Sequence, residues 1–174
     1  GVTLSGGETM CQPDFALALL GACKEYGLNT AIETTACAPA ETVRRFIPVC
    51  DCFLMDIKHM NSEKHKEFTT QPNELILSNA EILAKEAREL VVRVPVIPTF
   101  NDTPEEMSAI ASFAKSLGSV RQMHLLPYHR LGYDKYIGLG REYTMGDVAS
   151  PTKEHMERLR KAAAESGLEI IIGG

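Results

Sequence analysis

Gly1-Val2-Thr3-Leu4-Ser5-Gly6-Gly7-Glu8 opens the chain, and a helix-like segment follows from about Pro13. The run up to Leu4 is apolar and contains β-branched residues, which suits a strand. Two adjacent glycines then close it. Neither carries a Cβ, so the backbone there can lie close against a ligand. Strand, glycine turn and helix make the first half of a βα unit. In parallel sheets and barrels, ligands bind at the carboxyl end of the strands, where these glycines stand. Because the motif falls at residue 1, the chain is expected to begin inside a working site, as a fragment whose missing part matters for function.

Outward from this stretch the chain alternates short apolar runs with helical patterns. Pro13 to Tyr26 is expected to be helical, with Gly27 as its stop. Thr30 to Thr34 reads as a strand, Glu41 to Val49 as a short helix and Cys52 to Asp56 as a strand. Glu74 to Ala87 is helical and Leu90 to Ile97 a strand. Thr103-Pro104-Glu105-Glu106 is a helix start, with Thr103 as N-cap, Pro104 in the first turn and Glu106 completing a capping box. Gln122 to Pro127 is a strand, residues 128–151 a long loop, Thr152 to Ser166 a helix and Leu168 to Ile172 a closing strand. Repeated βα units with nearly continuous apolar strands indicate an α/β fold with parallel strands covered by helices. A (β/α) barrel and a doubly wound sheet both fit. Pro95 conflicts with its strand, since it cannot donate to a ladder; an edge strand or a bulge would resolve this.

Composition narrows the function classes. The 174 residues suffice for one sizeable core, so a single domain over 1–174 is expected. Apolar content of 44% with 24% charged residues fits a soluble globular protein. A formal charge of −5 supplies no general basic field for nucleic acid or an anionic membrane. No apolar run approaches the ~20 residues of a membrane span, and no signal-peptide pattern is visible. The five cysteines, Cys11, Cys23, Cys37, Cys50 and Cys52, are odd in number and scattered. They read as reduced thiols of a cytoplasmic protein rather than a disulfide framework.

Polar residues recur where the strands should end: Ser5-Gly6-Gly7-Glu8, Glu33-Thr34-Thr35, Asp56-Ile57-Lys58, Arg93 followed by Pro98 and Asn101-Asp102, and Pro127-Tyr128-His129. A glycine pair alone is usually a turn, a strand-end Asp-x-Lys usually a solvated surface, and one histidine usually structural. Five such groups at the same end of successive strands point instead to one shared cleft. It mixes acids, bases and bare backbone, and suits a ligand with both an ammonium and a carboxylate. Elsewhere the plainer reading holds. Glu63 to Glu67 is expected to be a solvated helix face, Cys11 and Cys23 packing residues, and His155 exposed. A zinc site from Cys50, Cys52, His59 and His65 is disfavoured, because the spacing matches no familiar ligand set. No Gly-Lys-Ser/Thr follows the glycines, so a phosphate loop is also a poor reading.

The ordered blocks resemble the glycyl-radical-enzyme activating enzymes of the radical S-adenosylmethionine superfamily, with the pyruvate formate-lyase activating branch nearest in pattern. They are residues 1–8, Ile32-Glu33-Thr34-Thr35, Met55-Asp56-Ile57-Lys58, Arg93 to Pro98 with Asn101-Asp102, and Leu125 to His129. The resemblance implies a partial (β/α)6 barrel whose first strand and cluster loop precede residue 1; that loop bears C-x3-C-x2-C and a 4Fe–4S cluster. It implies S-adenosylmethionine as cofactor, a glycyl radical enzyme as protein partner and a flavodoxin or ferredoxin as electron donor. It also accommodates Pro95, since the family pattern carries a proline there. By resemblance, Ser5, Gly6, Gly7 and Glu8 form the methionyl-ammonium side of the pocket. Glu33, Thr34 and Asp56 lie beside the methionine moiety around a monovalent cation. Lys58 reaches the carboxylate, and Arg93 and His129 complete the pocket. The pattern departs at Glu33, where the pyruvate formate-lyase activators carry Asp. Two other readings remain open on sequence: a radical S-adenosylmethionine enzyme acting on a small molecule, and a non-catalytic binding remnant.

Overall fold

The computed structural model describes residues 1–129, 133–140 and 148–174. Six strands, β1 (Val2–Leu4), β2 (Thr30–Thr34), β3 (Cys52–Asp56), β4 (Leu90–Val96), β5 (Gln122–Pro127) and β6 (Glu169–Ile172), form one sheet in chain order. Every neighbouring pair is parallel. β1 and β6 are its two edges, so the sheet is not closed. Strict sequential order settles the choice left open on sequence. A doubly wound sheet reverses its strand order at a switch point, and this sheet does not.

Helices α1 (Pro13–Glu25), α2 (Ala40–Phe46), α3 (Ser62–Thr69), α4 (Glu74–Glu86), α5 (Pro104–Ser116), α6 (Tyr133–Gly138) and α7 (Lys153–Ala164) fill the crossovers. α6 lies in the segment that the sequence leaves as loop; at six residues it is too short for a clear 3.6-residue period. Alternation along the strands separates two faces. Ile32, Phe53, Met55, Val92, Val94, Met123 and Leu125 are fully buried and join Leu20, Leu83, Ile110 and Leu159 of the helices in one core. Ala31, Glu33, Leu54, Asp56, Arg93 and His124 point to the other, inner face and stay partly accessible.

Local chemistry sets the element ends. The amides of Lys64, Glu106 and His155 donate to the capping side chains of Asn61, Thr103 and Thr152 at 2.9, 3.2 and 3.1 Å. Each such cap is worth ~1 kcal/mol. Only half of the expected capping box forms at α5. The Glu106 carboxylate instead accepts the Met60 amide at 2.6 Å and lies 3.1 Å from Nδ1 of buried His59. Tertiary partners outbid the local bond.

Pro95 sits in neither an edge strand nor a bulge, as β4 runs between β3 and β5. Its nitrogen faces the β3 side, where β3 has already ended. Register pairing stops at Asp56 opposite Arg93, and the last bond is the Ile57 amide to the Arg93 carbonyl. No donor is missed, so the proline is tolerated inside the sheet.

Three side chains depart from their expected surroundings. Cys11 is exposed rather than packed. Within the solvated face of α3, His65 turns inward, its Nδ1 2.6 Å from the Gln71 carbonyl. His155 is only partly exposed, because its Nε2 lies 3.0 Å from the Asp102 carbonyl oxygen and fastens α7 to the loop before α5.

Candidate functional site at the carboxyl ends of the strands

Gly6, Gly7, Glu8, Glu33, Thr34, Thr35, Asp56, Lys58 and Arg93 line one cleft of about 240 Å³. Nine of these positions come from four successive strand ends, so the parallel order collects groups that are far apart in sequence. A larger concavity of about 450 Å³ lies along α7, but its lining comes from that helix and its cap, and no groups converge there.

The glycines leave one wall bare. Gly6 adopts φ +120°, which L side chains rarely reach, and a Cβ built on Gly6 or Gly7 meets nothing within 4 Å. The space above them is open to a ligand. Glu8 holds this loop in place. Its Oε1 accepts the Thr34 hydroxyl at 2.6 Å and the Met10 amide at 3.1 Å. Its Oε2 accepts the Thr35 amide at 2.9 Å and hydroxyl at 2.7 Å. Three of these four bonds tie the glycine turn to the end of β2, a role the sequence did not show for Thr35.

Arg93 is the centre of the charged wall. Its Nη1 donates to Glu33 Oε1 at 2.8 Å and its Nε to Asp56 Oδ1 at 3.0 Å, while Nη2 makes an ion-pair contact with the same Asp56 oxygen at 2.9 Å. The Ser5 hydroxyl donates to the other Glu33 oxygen at 2.6 Å. The Arg93 side chain is only 12% exposed. The Arg93 bond, with help from Ser5, outweighs burial and lowers the Glu33 pKa below its ordinary value. Burial opposes the charge of Arg93, but Glu33 and Asp56 overcome it and raise its pKa. Removing one partner of such a half-buried group costs far more than breaking a surface pair, ~3–5 kcal/mol at full burial against 0–1 kcal/mol in solvent.

Lys58 stands apart from this mesh. Its Nζ is 3.7 Å from Asp56 Oδ2, a loose contact that leaves the ammonium for another anion. Its backbone is held tightly. Asn101, 0% exposed, donates from Nδ2 to the Lys58 carbonyl at 2.7 Å and the Pro95 carbonyl at 2.9 Å, and its Oδ1 accepts the Ile97 amide at 2.7 Å. One amide thereby clamps the ends of β3 and β4 together. The sequence marked Asn101 only as part of a block.

His124 was also missed. Register places Asp56, Arg93 and His124 in one row across β3, β4 and β5. Its Nε2 is buried with no hydrogen-bond partner among the described residues. Burial, then the Arg93 charge, lowers its pKa, so the ring is neutral at pH 7. The signal available in sequence was its phase, one strand over from Arg93 and pointing the same way.

Two expected groupings do not form. His129 is exposed beyond the end of β5, outside the lining of the cleft. Thr34 is on the core face of β2, opposite to Glu33, and its hydroxyl is spent on Glu8 and the Ala36 amide. Glu33, Thr34 and Asp56 therefore do not converge on a cation. The cysteines likewise offer no cluster site: among the described residues no three His, Cys, Asp or Glu side chains stand together as metal ligands. Burial pushes the Cys50 thiol up to about 12, and burial with the Glu89 charge pushes Cys52 up to about 11, away from the thiolate form a metal needs.

The geometry has close relatives. A family model described as the radical SAM superfamily matches residues 1–114. The chain is 42% identical over 175 residues to the 4-hydroxyphenylacetate decarboxylase activating enzyme of Clostridioides difficile, covering 99% of this chain and 55% of that protein. It is 48% identical over 167 residues to the isethionate sulfite-lyase activating enzyme of Desulfovibrio desulfuricans, covering 95% and 53%. The chain thus spans about half the length of these relatives. Among solved structures, a domain of pyruvate-formate lyase-activating enzyme from Bacteroides vulgatus superposes with a TM-score of 0.82 at 31% identity, covering 100% of this chain and 99% of that one. Streptococcus suis SuiB, 17% identical with a TM-score of 0.74, shares the fold alone. The chain belongs to the radical SAM superfamily, in its branch of glycyl-radical-enzyme activating enzymes.

Proposed function

We propose that the native-length protein activates a glycyl radical enzyme, and that this cleft holds the amino-acid end of S-adenosylmethionine. Membership of the family implies that cofactor and a 4Fe–4S cluster. The chemistry supplied by the bound cofactor is one-electron cleavage to methionine and a 5′-deoxyadenosyl radical, which takes a hydrogen atom from a glycine of the partner. The cluster does not fit the residues described here, and their part is to bind and orient. The observation that carries the reading is the convergence of bare backbone, two carboxylates, a guanidinium and a loosely held ammonium at one set of strand ends.

Each group has a role in this reading. Gly6 and Gly7 admit the methionyl ammonium, with Ser5 and Glu8 shaping that side. Glu33 and Asp56, held by Arg93, supply a rigid polar wall, and Thr34 fastens it through Glu8. Lys58 binds the ligand carboxylate. A hydrogen bond to a charged group is worth roughly 1.5–3 kcal/mol, against 0–1 kcal/mol for the same ammonium left as a surface pair. The electron comes from a flavodoxin or ferredoxin.

The test uses native-length protein with a reconstituted cluster, under reduction and without oxygen. Wild type forms 5′-deoxyadenosine and raises a glycyl radical signal on its partner enzyme. Lys58→Met weakens S-adenosylmethionine binding about tenfold and slows cleavage, with little change in melting temperature. Cleavage coupled only to a small molecule replaces the activase reading; no cleavage at all leaves a binding remnant. Unchanged binding in Lys58→Met removes the carboxylate contact.

A further inference from the structure

We propose that Arg93 is a resident counter-ion, standing where the family resemblance implies a monovalent cation, so that this cleft binds S-adenosylmethionine without Na⁺ or K⁺. The inference rests on the cofactor reading above for its ligand, and on the geometry of this chain for its content.

Three observations carry it. First, three of the four carboxylate oxygens that would ligate a cation are held by donors of the chain. Glu33 Oε1 accepts from Arg93 and Oε2 from Ser5; Asp56 Oδ1 accepts from Arg93 Nε and lies 2.9 Å from Nη2, while Oδ2 has Lys58 only at 3.7 Å. Thr34 is turned to the core side and saturated by Glu8 and Ala36. Second, the charges cancel. Glu33 and Asp56 are matched by Arg93 and Lys58, and a cation added here would sit beside a guanidinium. Glu8, the remaining carboxylate of the lining, already accepts from Thr34, Thr35 and Met10.

Third, the side-chain lengths suit this bridge. β2 and β4 are separated by β3, about 9.6 Å or two strand spacings apart. Arg93 and Glu33 are long enough to meet across that gap. An aspartate at position 33 would fall one methylene short, free one carboxylate from the guanidinium and make room for an ion. The departure from the family pattern at Glu33 and the position of Arg93 therefore have one explanation.

The test measures S-adenosylmethionine affinity of the native-length, cluster-loaded protein by calorimetry in NaCl, KCl and choline chloride at equal ionic strength. Wild-type affinity should agree within about twofold across the three salts, while Glu33→Asp should bind about tenfold more weakly in choline than in KCl. Arg93→Gln should show the same salt dependence. A parallel set of melting curves without ligand reads the same point. Wild type should melt alike in all three salts, and both variants should melt lower in choline. If wild type needs Na⁺ or K⁺, or if both variants are as indifferent to salt as wild type, the counter-ion role is wrong. If S-adenosylmethionine binds in no salt, the cofactor reading fails instead, and the melting curves still decide the role of Arg93.

Discussion

His124 shows how one side chain takes its properties from neighbours that the sequence keeps apart. Arg93 lies 31 positions earlier in number but one strand away in space, in the same row. Its guanidinium turns toward Glu33 and Asp56, leaving the imidazole Nε2 buried and unpartnered beside a positive charge. Burial and that charge both lower the His124 pKa, and burial lowers that of His59 as well. The folded protein therefore takes up protons less readily at these sites than the unfolded chain. The linkage sign follows: stability is full at neutral pH and falls as pH drops from the ordinary histidine value through the folded one. Urea titrations should show lower stability at about pH 5 than at about pH 7, and His124→Gln should flatten part of that slope. An unchanged slope would mean that His124 is solvated. Glu33 acts in a lower window: its pKa is lowered mainly by Arg93, so its stabilising contribution holds above the ordinary carboxylate value and is lost as pH falls through the folded one.

At the scale of elements, the cleft depends on where strands stop. β3 ends early, so Pro95 in β4 loses no partner, and its freed carbonyl is taken by Asn101. The same Asn101 holds Lys58 at the end of β3. The end of α3 is less well matched. Thr70 closes that helix with φ +68°, a left-handed conformation that costs a β-branched residue ~1–2 kcal/mol. It is exposed, and its amide bond to the Lys66 carbonyl does not need the side chain. Glycine at this position gains in the folded state more than it loses in unfolded-chain entropy. Thr70→Gly should stabilise the protein by about 0.5–1 kcal/mol, a rise of roughly 1–4 °C in Tm. A fall in Tm would show that the Thr70 side chain supports the loop before α4.

Across the whole molecule, sequential parallel order is what turns four of the five scattered motifs into one site. Every β-strand carboxyl end emerges on the same side, and core packing of α1, α2, α4, α5 and α7 against the strands keeps it there. That frame does not gather thiols. Cys23 is on α1, Cys11 precedes it, Cys37 follows β2, and Cys50 and Cys52 lie at the start of β3. A 4Fe–4S cluster needs several thiolates converging on one point. Residues 1–174 expressed alone and reconstituted anaerobically with iron and sulfide should hold no stoichiometric cubane, by iron content and absorbance. A stable stoichiometric cluster would show that these cysteines regroup.

Much of this was legible in the chain itself. Short apolar runs and the 3.6-residue period are local, so the six strands and most helices could be read directly, and only short α6 escaped. Glycines at positions 6 and 7 and charged strand ends marked the cleft, because backbone freedom and ionisation belong to single residues. What escaped were properties of pairs. Glu106 could cap its own helix or bond Met60; His129 could enter the cleft or stand outside it. Local chemistry allows both members of each pair. Register, the early end of β3 and the reach of Arg93 across two strands chose between them, because those distances exist only once the sheet has formed.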